Sequence, residues 1–289
     1  MDFEIKTLDI NNENYPEALK KIANPPKKLF YRGQINKKEK CLAIVGSRNP
    51  TAYGKQVALE FSRFLSKNGL IIVSGLAMGI DAIAHQGCLE TNSKTIAVLG
   101  SGIDDKTITP PRNKKLAQEI LEKNGLILSE YPEGTPGFNR HFPARNRIIA
   151  GLCLGILVVE AKEKSGALIT ADFGFKFKRK VFAIPGTIYS PLSRGCNQLI
   201  QKGAILINEP KDILDNLGIS EKEQRKLEMK FDSQIEKLVY NMLAERPLSI
   251  EEIIAKSNQP SEKILQCLTL MEIEEKIQNL GGNIFSIKK

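Results

Sequence analysis

No stretch of the 289 residues approaches the roughly 20 consecutive apolar side chains that a membrane-crossing helix requires. The opening MDFEIKTLDI is charged and lacks the apolar core of a secretory signal. Histidine is scarce, with only His85 and His141. The five cysteines, Cys41, Cys88, Cys153, Cys196 and Cys267, stand far apart with no CxxC pair. The donor set of a zinc site is therefore missing, and scattered thiols in apolar contexts read as buried and reduced. A soluble cytoplasmic chain without a metal is expected.

Catalytic signatures are missing as well. The sequence contains no GxSxG elbow, no HExxH, no SxxK and no paired-carboxylate motif. A Walker A loop fails because Gly54-Lys55 is followed by Gln56, with Gly46 too far upstream. A dinucleotide fingerprint fails because Gly100-Ser101-Gly102 runs on into Ile103-Asp104-Asp105 without a third glycine. Asp81 and His85 are one helical turn apart, a spacing that reads as a structural hydrogen bond rather than a base. Glu160, at the end of a strand, either acts as an acid or bonds loop amides. No complete catalytic set emerges, so a non-enzymatic protein without a cofactor is expected.

What the chain does have is positive charge, apolar runs and glycine-rich loops. Its net charge is +9 with a pI near 9.2, which favours anionic partners. Residues 1–40 hold 9 basic and 6 acidic side chains, residues 41–217 hold 22 and 15, and residues 218–289 hold 11 and 12. The excess thus belongs mainly to the middle. There, short runs such as Cys41–Val45, Leu70–Val73, Thr95–Leu99, Leu126–Leu128, Gly155–Glu160, Val181–Ile184 and Ala204–Ile207 alternate with amphipathic stretches such as Tyr53–Lys67. Uninterrupted apolar runs are strands covered on both faces, and strand–helix alternation predicts a doubly wound, mostly parallel α/β sheet over residues 41–217. Residues 1–40, with Tyr15-Pro16 and Pro25-Pro26, predict an extended arm packed on that domain. The charged stretch 218–230 predicts a linker. Residues 231–289 predict three short helices and a Gly281-Gly282 hairpin, the pattern of a small winged-helix domain.

In an open parallel sheet, ligands bind beyond the carboxyl ends of the strands, where helix N-termini point outward. Three such positions here are rich in small residues: Gly46-Ser47-Arg48 with Asn49-Pro50-Thr51, Ser74-Gly75 through Gly79, and Gly100-Ser101-Gly102. Glycine admits close backbone approach to an oxyanion, hydroxyls add donors, and Arg48 can make a bidentate phosphate contact. A fourth cluster, Arg140-His141-Phe142-Pro143-Ala144-Arg145-Asn146-Arg147, joins three arginines to a ring on which a base can stack. A helix-capping arginine network around a core Phe142 explains the same spacing. Lys162, Lys164, Ser165 and Thr170 follow the strand that ends at Glu160, and the run Lys176, Lys178, Arg179, Lys180 reads as a solvated helix face.

The order of these motifs resembles the DNA-processing protein A family (DprA, also called Smf). The resemblance is carried by Leu29-Phe30-Tyr31-Arg32-Gly33, Ala43-Ile44-Val45-Gly46-Ser47-Arg48, Ser74-Gly75-Leu76-Ala77, Ala97-Val98-Leu99-Gly100, Phe142-Pro143 with Arg145-Asn146-Arg147, Val158-Val159-Glu160-Ala161 and Pro185-Gly186. It implies a Rossmann-like domain that holds single-stranded DNA rather than a nucleotide, a homodimer, and loading of RecA recombinase onto incoming DNA during natural transformation. Carried over, Gly46, Ser47, Arg48, Phe142, Arg145, Asn146 and Arg147 contact DNA, while Ser74, Gly75, Gly79, Gly100, Ser101 and Gly102 shape a phosphate pocket.

The chain departs from the family in several places. Residues 1–40 leave no room for the N-terminal helical domain of some members. Thr109-Pro110 stands where Tyr-Pro is usual, and Lys178 stands where a glycine commonly precedes Arg179. The presumed recognition helix offers only Lys263, which favours a partner-binding or regulatory module over a reader of duplex DNA. An alternative reading is a nucleotide phosphoribohydrolase of the lysine-decarboxylase-like Rossmann group. The segment Lys164-Ser165-Gly166-Ala167-Leu168-Ile169-Thr170 lacks that group's double glycine and downstream acid.

Overall fold

A computed structural model describes residues 3–36, 39–220, 233–257, 259–274, 276–279 and 281–287. The chain divides into two compact units, Met1–Lys222 and Glu223–Lys289. Most of the stretch 218–230 expected as a linker lies outside the described residues.

The first unit is built on nine strands: β1 (Lys6–Asp9), β2 (Lys28–Gly33), β3 (Cys41–Val45), β4 (Ile71–Ser74), β5 (Thr95–Leu99), β6 (Leu126–Ser129), β7 (Gly155–Val158), β8 (Lys180–Ala183) and β9 (Ile205–Leu206). Their spatial order is β1-β2-β6-β5-β4-β3-β7-β8-β9. All neighbours from β6 to β9 are parallel, as the uninterrupted apolar runs imply. Within β3, Leu42 and Ile44 point to one core while Cys41, Ala43 and Val45 point to the other, and all five are buried. Helices α2 (Ala52–Lys67), α3 (Ile80–Glu90), α4 (Lys114–Glu122) and α8 (Pro210–Leu217) cover one face. Helices α1 (Glu17–Lys20), α5 (His141–Leu152), α6 (Gly166–Lys176) and α7 (Arg194–Gln201) cover the other. Strand order reverses at β3, which pairs with β4 on one side and β7 on the other, and the topological switch point lies there.

Residues 1–40 are more than an arm laid against the sheet. β2 pairs antiparallel with β6 and β1 with β2, so the segment extends the sheet itself. Leu8, Tyr15, Leu19 and Leu29 are buried, and Tyr15 Oη donates to the Pro26 carbonyl at 2.8 Å. Between β1 and β2 the chain passes through the short α1, which Pro16 precedes as its N-cap.

The second unit packs α9 (Gln234–Glu245), α10 (Ile250–Ser257) and α11 (Ser261–Ile273) with a small antiparallel sheet of β10 (Leu248–Ser249), β12 (Ile284–Ile287) and β11 (Ile277–Asn279). Its core includes Val239, Leu243, Ile253, Ile264, Leu268 and Phe285. No helix among the described residues is long and apolar enough to cross a membrane.

At the end of α6 a lysine occupies a position suited to glycine. Arg179 N donates to Gly174 O at 2.8 Å and Lys178 N to Phe175 O at 3.1 Å, the paired bonds of a Schellman motif. That motif places Lys178 at φ 55°, whereas α2 ends the same way on Gly69 at φ 87°. A side chain there costs about 1–2 kcal/mol, partly offset by the entropy glycine loses on folding. Lys178→Gly is therefore expected to stabilise the first unit by about 0.5–1 kcal/mol, read as a shift in the denaturant midpoint.

His85, on α3, is fully buried, and its Nδ1 lies 2.8 Å from Thr95 Oγ1. Burial, reinforced by the positive charge of Arg145, pushes its pKa down to about 3. The unfolded chain takes up a proton near pH 6.5 that the folded chain refuses, so this contribution is complete above about pH 6.5 and is lost as pH falls. Unfolding free energy is expected to drop with a slope of up to about 1.4 kcal/mol per pH unit between about pH 6 and pH 4. His85→Gln should flatten that slope; an unchanged profile in chemical denaturation would remove His85 from the account.

Candidate nucleic-acid interface

The loops beyond the parallel strands interlock, and their glycines are where one chain segment presses on another. A Cβ on Gly46 would stand 2.7 Å from Ile80 Cγ1. Gly79, at φ 77°, would bring a Cβ within 2.3 Å of the Ser47 carbonyl, which already accepts from Ile80 N at 3.1 Å. The loop after β4 is thus tucked beneath Ser47 and Arg48 of the loop after β3. Gly75 carries a second constraint: a Cβ there would lie 2.5 Å from the Arg145 guanidinium and 2.7 Å from Asp81 Oδ2. Gly100 would strike the Phe142 ring at 2.7 Å.

Several amides expected to face a phosphate are already bonded within the protein. Gly75 N donates to Asp81 Oδ2 at 3.0 Å, and Gly102 N donates to Thr135 O at 2.8 Å. Ser74 Oγ donates to Ile44 O at 2.6 Å, and the Ser101 carbonyl accepts from Ser129 Oγ at 2.6 Å. Ser74, Gly75, Ser101 and Gly102 therefore brace the rim from behind. Asp81 and His85 have separate partners, so the pair expected from their spacing is not a bonded one. Burial raises the Asp81 pKa, while Arg145 and the amides of Ala77 and Gly75 pull it back.

Glu160 is resolved in favour of loop bonding. Its carboxylate, 3% exposed, accepts from Thr51 N at 2.9 Å and from Thr51 Oγ1 at 2.6 Å. Thr51 in turn caps α2 by accepting from Gly54 N at 3.1 Å. A buried carboxylate at this helix N-terminus meets the positive end of the dipole. A side chain on Gly54 would overlap it, since a Cβ would lie 2.3 Å from Oε2.

The arginines of the fourth cluster do different things. Arg145 is 5% exposed and donates through Nη1 to the Gly75 carbonyl at 2.8 Å and to the Val98 carbonyl. Its Nε reaches Asn146 Oδ1 at 3.3 Å, and Asn146 Nδ2 donates to Gly166 O at 3.2 Å. Burial pulls the Arg145 pKa down to about 10, against the pull of Asp81. The side chain keeps its positive charge at neutral pH. Arg147 faces elsewhere: it pairs with Glu130 at 2.6 Å and donates to Asn24 O at 3.1 Å. The expectation that Arg145 and Arg147 act alike therefore needs correcting, because α5 sends residues two apart in different directions.

One cleft of about 280 Å³ gathers Gly46, Arg48, Phe142, Arg145, Asn146 and the first turn of α6. Arg48 is exposed, with its guanidinium carbon 5.7 Å from the centre of the Phe142 ring. Across from them, Ser165 caps α6 by accepting from Ala167 N at 3.3 Å, and a Cβ on Gly166 would meet nothing within 4 Å. Thr170 and Asn139 complete the wall. Asn139 carries no sequence signal, since only the turn that precedes α5 brings it in. Ser165-Gly166 is legible as a cap at the head of a helix. Asn113 is equally silent in the sequence: its Nδ2 donates to Leu76 O at 2.8 Å and Ala77 O at 3.1 Å, holding Leu76 at φ 55°.

No group of three or more His, Cys, Asp or Glu side chains is placed to hold a metal among the described residues. All five cysteines are free and buried, and burial pushes the thiols of Cys41, Cys88 and Cys196 up to about 12. Thiols held so far from the thiolate form are poor nucleophiles.

Residues 6–218 match the family model described as DNA recombination-mediator protein A. The Smf protein of Synechocystis is 46% identical over 216 residues, which cover 73% of this chain and 54% of that relative. The X-ray structure of DNA processing protein A from Streptococcus pneumoniae superposes with a TM-score of 0.68 at 43% identity, covering 73% of this chain and 74% of the other. The Helicobacter pylori DNA processing protein A, solved for its single-stranded DNA binding mode, superposes with a TM-score of 0.66 at 36% identity, covering 74% and 96%. The chain therefore belongs to the DNA recombination-mediator protein A family, known as DprA or Smf.

Proposed function

We propose that this chain is a non-enzymatic recombination mediator that holds single-stranded DNA in the cleft at the switch point. The observation that carries the reading is the grouping of an exposed Arg48, the Phe142 ring beside it, the buried charge of Arg145 and the open first turn of α6. Such a site offers charge to a phosphate and an aromatic face to a base, a combination suited to a flexible strand. The relative from Helicobacter pylori, described by its single-stranded DNA binding mode, supports the same guest. Gly46 and Ser47 shape the edge of the site, while Ser74, Gly75, Gly79 and Gly100 through Gly102 hold its floor rigid.

Loading of RecA during transformation or recombination, homodimerisation and a cytoplasmic location complete the proposal, and they rest on the family resemblance. The hydrolase reading loses ground because Asp81, which lines the cleft, and Glu160 both accept from backbone amides. The second unit fits a partner-binding or regulatory module. Along α11 the only cation is Lys263, while Leu265 and Leu270 are 45% and 52% exposed.

Arg48→Ala is expected to weaken labelled oligo-dT binding about tenfold and to reduce the salt slope by about 0.7, the share of one phosphate on a single strand. Phe142→Ala should cost about 1–3 kcal/mol, the range for one stacked base. Arg147→Ala should change affinity less than about twofold, since a paired guanidinium facing Glu130 has little left to offer DNA. Tight binding that survives the first two changes in fluorescence anisotropy would place the strand elsewhere. Lys263→Glu is expected to leave duplex binding unaltered.

A further inference from the structure

A second groove, of about 650 Å³, adjoins the rim cleft and shares Arg48 with it. It lies on the helical face that carries α2, α3 and α4. Its floor is apolar, with Met78, Ile83 and Leu116 among its lining. Its cations are Arg48, Lys55, Arg112 and Lys115, against the single carboxylate of Glu119. Lys115 stands 3.7 Å from Glu119 in an exposed pair, the kind worth little in water. Lys55 and Arg112 form no ion pair among the described residues, in contrast to Arg32, Arg63 and Arg147, which are matched with Asp105, Glu90 and Glu130.

The groove is held to the rim by the same bonds that shape the cleft. Asn113, next to Arg112, ties the head of α4 to the carbonyls of Leu76 and Ala77. Gly79 locks that loop beneath Arg48. The cations of the groove and of the cleft are therefore set on one braced scaffold, with Arg48 at the junction.

We infer that the groove carries the sugar–phosphate backbone of the nucleotides that flank those in the cleft, so that one single strand passes Arg48 and continues between α2 and α4. The inference rests on the single-strand reading of the cleft. Lys55, Arg112 and Lys115 supply charge at the surface, which suits contact with a phosphate backbone. Each phosphate neutralised on a single strand adds about 0.7 to the slope of affinity against salt, so three further cations add about 2.

The test compares the full chain with its Lys55→Glu/Arg112→Glu/Lys115→Glu variant on oligo-dT of about six and about twenty nucleotides, lengths that span the usual site sizes. All three side chains belong to the surface groove, and thermal unfolding of the variant verifies its fold. The corresponding Gln triple separates loss of charge from its reversal. Expected is an affinity for the short strand within about twofold of the native chain, and a fall of at least about tenfold for the long strand with the salt slope lowered by about 2. Long-strand binding untouched by both triples would overturn the groove while leaving the cleft intact. An equal loss for both lengths would overturn it too, by showing the cations to act on the cleft from a distance. If the native chain bound neither strand, the reading of the cleft would itself fail, and the groove with it. Capture of an acidic peptide by the groove, with DNA binding unchanged, would assign the surface to a protein partner and likewise overturn the inference.

Discussion

The guanidinium of Arg145 is the contact on which the rest of the rim depends. It leaves α5, passes beneath the cleft and bonds the carbonyls of Gly75 and Val98, at the ends of β4 and β5. Few side chains other than arginine can reach two main-chain carbonyls while carrying a charge that Asp81 helps to sustain. Buried charges are seldom a net source of stability, because desolvation offsets the attraction. Both groups show that strain, Asp81 shifted up and Arg145 shifted down. What the arrangement supplies is position: α5, two strand ends and, through Asn146, the head of α6 are held in one register.

From that tie comes the geometry of the site. Phe142 lies three residues before Arg145 on α5, and its ring packs on Gly100 and approaches Arg48. Glu160 plays the matching part on the β7 side, where it fixes Thr51 and the start of α2. The two buried charged groups flank the switch point between β3 and β7 from opposite sides. Charge thus stands at two depths here, beneath the surface where Arg145 and Glu160 hold loops in place and at the surface on Arg48.

Much of the fold was legible in the chain. The apolar runs located the parallel strands to within a residue or two, because a strand covered on both faces leaves little room for polar interruption. The glycine clusters located the rim. The two strands of residues 1–40, β1 at the edge and β2 between it and β6, were hidden, since Lys28–Gly33 buries only Leu29 and Arg32 and carries a charge at the second of them. That arginine is itself buried, donating to Phe3 and Ile103 carbonyls and to Asp105. In the candidate site, residue types marked where charge and glycine gather but not the direction of each side chain. Arg145 and Arg147 look alike in sequence and differ only through helical rotation. The glycines suggested open amides, yet Gly75 and Gly102 are bonded inward, because a glycine that admits a phosphate and one that admits a neighbouring loop have the same letter.

The interlocking of the loops has a consequence for how association divides its entropic cost. With Gly79 seated under Ser47, Gly75 against a guanidinium and Gly100 against a ring, the receptor has little freedom left to surrender when a guest arrives. In the proposed reading, a rim already held in place leaves the strand's own conformational freedom as the main loss on binding.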